Sequence, residues 1–334
     1  MKKISITAIT LFVMGALSIV QAQSSGYKLS RTFHIASAGG WDYIAVGPNN
    51  NRIYVSHGAQ VNVLDEKSGD SVGVITNTNG VHGIAFVPSL QKGYTSNGRS
   101  NNISVFDLKT NQVLSQIATG ENPDAIMYDN FSKKIITCNG RSKDLSIVDP
   151  VTEKLVNTIP VGGKPETAVS DEKGKLFVNI EDKNEIIQVD IASGKVEAHW
   201  PLGAESPTGL AIDLNTRLLF AGCDKEMVIL SIATGKVIKK MPIGDGCDGI
   251  AFDNNTKLIF ASCGEGKLSI VKEESGTAFS DAGSVSTKRS ARTIAIDEQT
   301  HEVFLPAADM EKSTVPNERP KMIPGSFQIL VVGK

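Results

Sequence analysis

The hydrophobic positions of this chain come in short runs separated by polar turns, and one run returns at a nearly fixed interval. WDYIAVGP (41–48), VHGIAFVP (81–88), PDAIMYD (123–129), PETAVSD (165–171), PTGLAID (207–213), CDGIAFD (247–253) and ARTIAID (291–297) are seven copies of one segment. Their apolar cores begin at Ile44, Ile84, Ile126, Ala168, Leu210, Ile250 and Ile294, spaced by 40, 42, 42, 42, 40 and 44 residues. A period of that length marks a structural repeat. Within a repeat the order is constant: a short strand (IAFD), a polar turn (NNTK), a second strand (LIFAS), a third (KLSIV), a hairpin of the ASGK or ATGK kind, and a fourth strand (VIKKMPIG). Four strands in about 42 residues make one propeller blade. No helical periodicity is sustained, which argues against a βα solenoid.

The prediction is an all-β, seven-bladed β-propeller over residues 23–334, with blade first strands near 42, 82, 124, 166, 208, 248 and 292. The last repeat stops at a third strand, SFQILVV (326–332). YKLSRTFHI (27–35) matches the fourth-strand pattern of VLSQIATG (113–120), so the N-terminal strand should pair into the C-terminal blade and close the ring. Closure removes the open edges that invite association, and a monomer is expected.

Ahead of the first repeat, Lys2 and Lys3 precede an uncharged apolar run, Ile4 to Val20, and then Val20-Gln21-Ala22. That is the form of a cleaved signal peptide over residues 1–22, implying a periplasmic or secreted protein. No later segment is long and apolar enough to span a bilayer. With 34 basic and 36 acidic side chains and no basic stripe, nucleic acid is not an expected partner.

The second strands end in IYVSH (53–57), GYTSN (93–97), IITCN (135–139) and LFVNI (176–180), followed by D-x-x-S/T-G-type hairpins. In these features the chain resembles the YVTN-repeat, or YncE-like, seven-bladed β-propellers over its whole length after the leader. The closing ARTIAIDEQTHEVFLPAAD and PGSFQILVVGK look like the last blade of bacterial members. The resemblance implies a fold and no particular reaction. Blades five to seven depart from it, with Cys223, Cys263 and Ala307 where the motif has Asn.

In a propeller the loops entering the first strands gather at one mouth of the central channel. The positions two before each apolar core are Asp42, His82, Asp124, Glu166, Thr208, Asp248 and Arg292, all polar and four of them acidic. The second-strand ends add His57, Asn97 and Asn139 to the same expected site. Taken singly, Asp and Asn before strands make turns and cap loop amides. As a set, carboxylates around an enclosed mouth favour a cation or a cationic or hydroxylated ligand. Asp42, Asp124, Glu166 and Asp248 are the candidate metal ligands, although carboxylates on opposite sides of the channel are too far apart to share one ion. Trp41 and Tyr43 flank Asp42 as a possible aromatic wall.

Cys223, Cys247 and Cys263 are expected in one sector of the mouth, and in an exported chain a disulfide of Cys247 with Cys223 or Cys263 is the default. A thiolate metal site with Asp248 is the alternative, without C-x-x-C support. Cys138 reads as a small buried apolar residue. The one long irregular segment, MEKSTVPNERPKMIPG (310–325), is expected to lean over the mouth as a lid or docking element and bring Arg319 and Lys321 to the acidic ring.

Three functions follow in order of preference. The first is a non-catalytic propeller binding a small molecule or protein at its acidic mouth. The second is a lactonase-like hydrolase with a divalent cation on the ring. The third is a cofactor or electron-transfer propeller, for which C-x-x-C-H is missing and His57 and His82 are the only candidate axial ligands. No organic cofactor is expected.

Overall fold

The computed structural model describes residues 25–37, 39–48, 51–275, 277–311 and 321–334. The expected signal segment 1–22 and Arg319 lie outside them. The described residues form seven antiparallel sheets of four strands each, and the chain is an all-β seven-bladed propeller. Among the described residues helix is confined to two single turns, Pro88–Leu90 and Glu181–Lys183, and none is long and apolar enough to cross a membrane.

The hairpins show why these segments turn where they do. Asp65 accepts the backbone N–H groups of Lys67 (3.0 Å) and Ser68 (2.8 Å), and Asp107 does the same for Lys109 and Thr110. The residue that closes each such turn is left-handed, at Gly69 (φ 76°), Asn111 (φ 60°) and Gly194 (φ 66°). An aspartate bonding forward followed by Gly or Asn is the cheapest chemistry for that backbone.

Between blades the packing is aromatic. Tyr54, Tyr94, Phe177, Phe220, Phe260 and Phe304 occupy the middle of the second strands of six blades, with Ile136 in the third, and all are essentially without solvent exposure. Tyr54 meets Phe86 and Phe106 of the next blade with ring centroids 5.0 and 6.0 Å apart, and Phe220 meets Phe252 at 5.1 Å. Each such side chain contributes roughly 1.5–3 kcal/mol by leaving water.

Ring closure is as expected. Lys28–His34 pairs antiparallel with Gln328–Gly333, from Lys28 opposite Gly333 to His34 opposite Gln328, and completes the sheet of Glu302–Ala307 and Ala295–Asp297. Arg31 clamps Glu302 through two hydrogen bonds of 2.8 and 2.7 Å, and the Tyr27 hydroxyl donates to the His301 carbonyl at 3.0 Å. First strands begin at Trp41, Val81, Pro123, Pro165 and Cys247 in five blades. In the fifth and seventh they begin later, at Leu210 and Ala295, so Thr208 and Arg292 sit in the entering loops.

Candidate functional site

The side chains at the mouth form two networks of opposite charges rather than a bare acidic ring. Arg292 pairs with Asp248 and, at 3.2 Å, with Asp42 Oδ1. Asp42 Oδ2 lies 2.6 Å from His82 Nδ1, and Asp124 Oδ1 lies 3.8 Å from the same nitrogen. Glu166 Oε1 meets Lys164 Nζ at 2.5 Å, and Lys164 also pairs with Glu181. Lys164 and Glu181 escaped the sequence reading, because Lys164 stands two residues before the ring position and its partner lies beyond the second strand.

Asp42, His82 and Asp124, from three successive blades, each offer one donor atom within 4.8 Å of the others. They are the one such group of three or more among the described residues. Glu166 and Asp248 stand outside this group, so four carboxylates do not converge and the candidate metal set becomes two carboxylates with one imidazole. Neighbouring blades, unlike opposite ones, are close enough to share an ion.

Hydroxyl groups hold the backbone beneath the ring. Thr293 donates to the Asp42 carbonyl and Thr208 to the Cys247 carbonyl, both at 2.6 Å. Ser96 donates to the Asp124 carbonyl and Ser262 to that of Arg292, while the Asn179 amide donates to Thr208 and Gly209. Each bond crosses from one blade to the next, so the ring positions are mutually pinned. Gly98 makes room for His82, because a Cβ there would lie 2.6 Å from the imidazole Nε2.

Behind the ring the next residues along the strands, Tyr43, Gly83, Ala125 and Thr167, line a cavity of 110 Å³ floored by Ile126 and Ile136. Tyr43 therefore faces the channel, where burial and the carboxylates of Asp124, Asp42 and Glu166 hold its hydroxyl well above the usual range. Trp41 turns away to pack on Phe327, with centroids 5.3 Å apart, so the two aromatics do not build one wall.

The electrostatics single out the carboxyls nearest this cavity. Burial pushes Asp124 up to about 6, with the charge of His82 restraining the rise and that of Asp42 adding to it. Burial followed by the charge of Asp124 raises Glu166 to about 7 against its bond to Lys164. For His82 burial acts downward, but the hydrogen bond to Asp42 and the charges of Asp124 and Asp42 outweigh it and leave the imidazole raised. Protons are therefore gained and lost at this mouth close to neutrality.

Several expected site residues take structural parts instead. Asn97 and Asn139 are 0% exposed. Asn97 donates to Asn102 (2.8 Å) and Ser104 (2.9 Å) and accepts from Thr95 (2.9 Å); Asn139 repeats this with Asp144, Ser146 and Thr137. His57, 1% exposed, is bonded to Ser37 and Asn62 through Nδ1 and to the Gly39 carbonyl through Nε2. These side chains point into their own blades and lock the second strand to the third or to the entering loop.

All four cysteines are buried free thiols, and Cys247 stands opposite Cys263 in the strand register. The described ends of the long seventh-blade segment pair with each other: Met310 bridges Met322, and Glu311 N–H donates to the Lys321 carbonyl at 2.7 Å. Lys321 is exposed, and among the described residues no ion pair joins it to the ring.

Comparison with solved structures places the architecture in wide company. The chain superposes on the WD40 repeats of RRP9 with a TM-score of 0.77 at 11% identity, covering 93% of this chain and 99% of that one. A chain of Kuenenia stuttgartiensis hydrazine synthase matches with a TM-score of 0.71 at 15% identity, covering 81% and 94%. No family model matches the sequence, and no curated protein matches it. At these identities the likeness establishes the fold alone: this chain is a seven-bladed β-propeller.

Proposed function

We propose that the protein is an exported, non-catalytic propeller of the YVTN-repeat kind that binds a small cationic or hydroxylated ligand at its channel mouth. The observation that carries this reading is the convergence of Asp42, His82 and Asp124 above the small cavity lined by Tyr43 and Thr167. Partly ionised carboxyls both accept hydrogen bonds and, when protonated, donate them, which suits hydroxyl and amine groups. A cavity of 110 Å³ admits one compact group rather than a whole drug-sized molecule, so the remainder of a ligand would lie across the mouth. A protein partner presenting a lysine or serine side chain satisfies the same chemistry.

The test is a thermal-shift panel of primary amines, polyols and divalent cations on the wild type and on Asp124→Asn. At least one class should raise Tm in the wild type and lose most of that rise in the variant. A panel with no hit sensitive to Asp124 removes the reading.

A metal-dependent hydrolase of the lactonase type is the second reading, favoured by the same three donor atoms within 4.8 Å. A divalent cation held there would polarise a carbonyl or activate water. It requires a stoichiometric ion that disappears with His82→Gln and lactone turnover that disappears with the ion.

A further inference from the structure

Cys247 opens the first strand of the sixth blade and Cys263 ends the second, and the two residues are register partners across the antiparallel pair. The Cys247 thiol is directed at the Gly249 carbonyl, 3.7 Å away, and the Cys263 thiol at the Ala261 carbonyl, 3.5 Å away. Cys247 is 5% exposed and Cys263 0%, and the neighbouring positions are glycines that leave the sulfurs room: a Cβ at Gly222 would lie 2.6 Å from Cys247 Sγ, and one at Gly244 would lie 3.1 Å from Cys263 Sγ. Cys223, also 0% exposed, is the second thiol near Cys247, but it lies just after the second strand of the fifth blade and is no register partner of Cys247.

We infer that Cys247 and Cys263 form a reversible dithiol–disulfide site on the flank of the mouth, with Cys223 left as a thiol. Adjacent positions on paired antiparallel strands bring Cβ atoms to about 4.5–5.5 Å, which needs only a small closure to reach the separation of a disulfide. Cys247, 5% exposed against 0% for Cys263, offers the sulfur that an oxidant reaches first. With a low-molecular-weight disulfide as oxidant, one thiolate attacks its sulfur and expels a thiolate. The second cysteine then displaces the other half, so that two thiols of the protein are oxidised and one disulfide is reduced to two thiols. The bond would also bear on ligand binding, since Cys247 precedes Asp248, the partner of Arg292, and its carbonyl holds Thr208.

The experiment uses the full chain after any leader, both folded and refolded in a glutathione disulfide buffer, followed by alkylation under denaturing conditions and peptide mapping. The expected product joins the Cys247 and Cys263 peptides with a mass lower by two hydrogens. It should revert with dithiothreitol, persist in Cys223→Ser, and raise Tm over the reduced protein. A Cys223–Cys247 link, or four alkylated thiols after both treatments, overturns the inference. The wild-type map decides the matter even where a cysteine variant fails to fold.

Discussion

At Gly98 the absent side chain is what lets the site exist. A Cβ there would also lie 2.9 Å from Asn122 Oδ1, so Gly98→Ala must displace the His82 ring. The backbone tolerates alanine at this position, and overpacking costs about 1–3 kcal/mol. His82 should then lose its hydrogen bond to Asp42, and NMR titration of the imidazole should show its pKa falling. An unchanged titration would mean that Asp42 does not set it. Glu166 makes a second residue-scale prediction. Its carboxyl is raised from 4.5 to about 7 by burial and by Asp124. Between those values the native state holds a proton that the unfolded chain releases, so stability from this group declines as pH rises through the window. Glu166→Gln abolishes that decline. Relative to the wild type it should gain about 1–3 kcal/mol between pH 5 and pH 8 in denaturant titrations. The gain runs the other way if the Lys164 pair dominates.

At the scale of the strand and hairpin, the second-strand asparagines matter to folding more than to binding. Asn139→Ala leaves Asp144, Ser146 and Thr137 without their buried partner. The cost should be about 1–3 kcal/mol in chemical denaturation, while affinity for any mouth ligand stays within a factor of two. A large loss of affinity at preserved stability would return Asn139 to the site. The repeated signature is thus a hairpin lock, which accounts for its recurrence at one place in the strand. The five blades without an Asn at that position find other solutions there. In the sixth blade, Cys263 takes the position and faces the first strand through Cys247.

For the whole molecule, closure is the decisive event. Residues 28–34 supply the fourth strand of the last blade through pairing along its length, with one register shift between Leu29 and Arg31, and Phe33 is buried against the core of the first and seventh blades. Deleting them exposes the edge of Gln328–Gly333 and opens the seam between those blades. Differential scanning calorimetry should show the single cooperative transition lost or Tm lowered by more than 10 °C, since several kcal/mol of packing and the Arg31–Glu302 clamp go together. Full cooperativity in the truncated chain would mean that the ring is held by the inter-blade aromatics alone.

The sequence by itself determined the number of blades, the order of strands within them, the closing strand and the positions that ring the mouth. Each of these rests on local periodicity and on the chemistry of turns, which act over a few residues and repeat. Asp42, His82, Asp124, Glu166, Asp248 and Arg292 were therefore legible as a set. Only the tertiary structure decided what each does. Whether a polar side chain turns to the channel or into its own blade depends on partners elsewhere in the fold: His82 finds Asp42 40 residues away, and Arg292 finds it 250 residues away. The asparagines instead find Ser104 and Ser146 seven residues away within their own sheets. Period shows where such residues recur, but burial, pairing and the raised carboxyl groups arise only when blades meet.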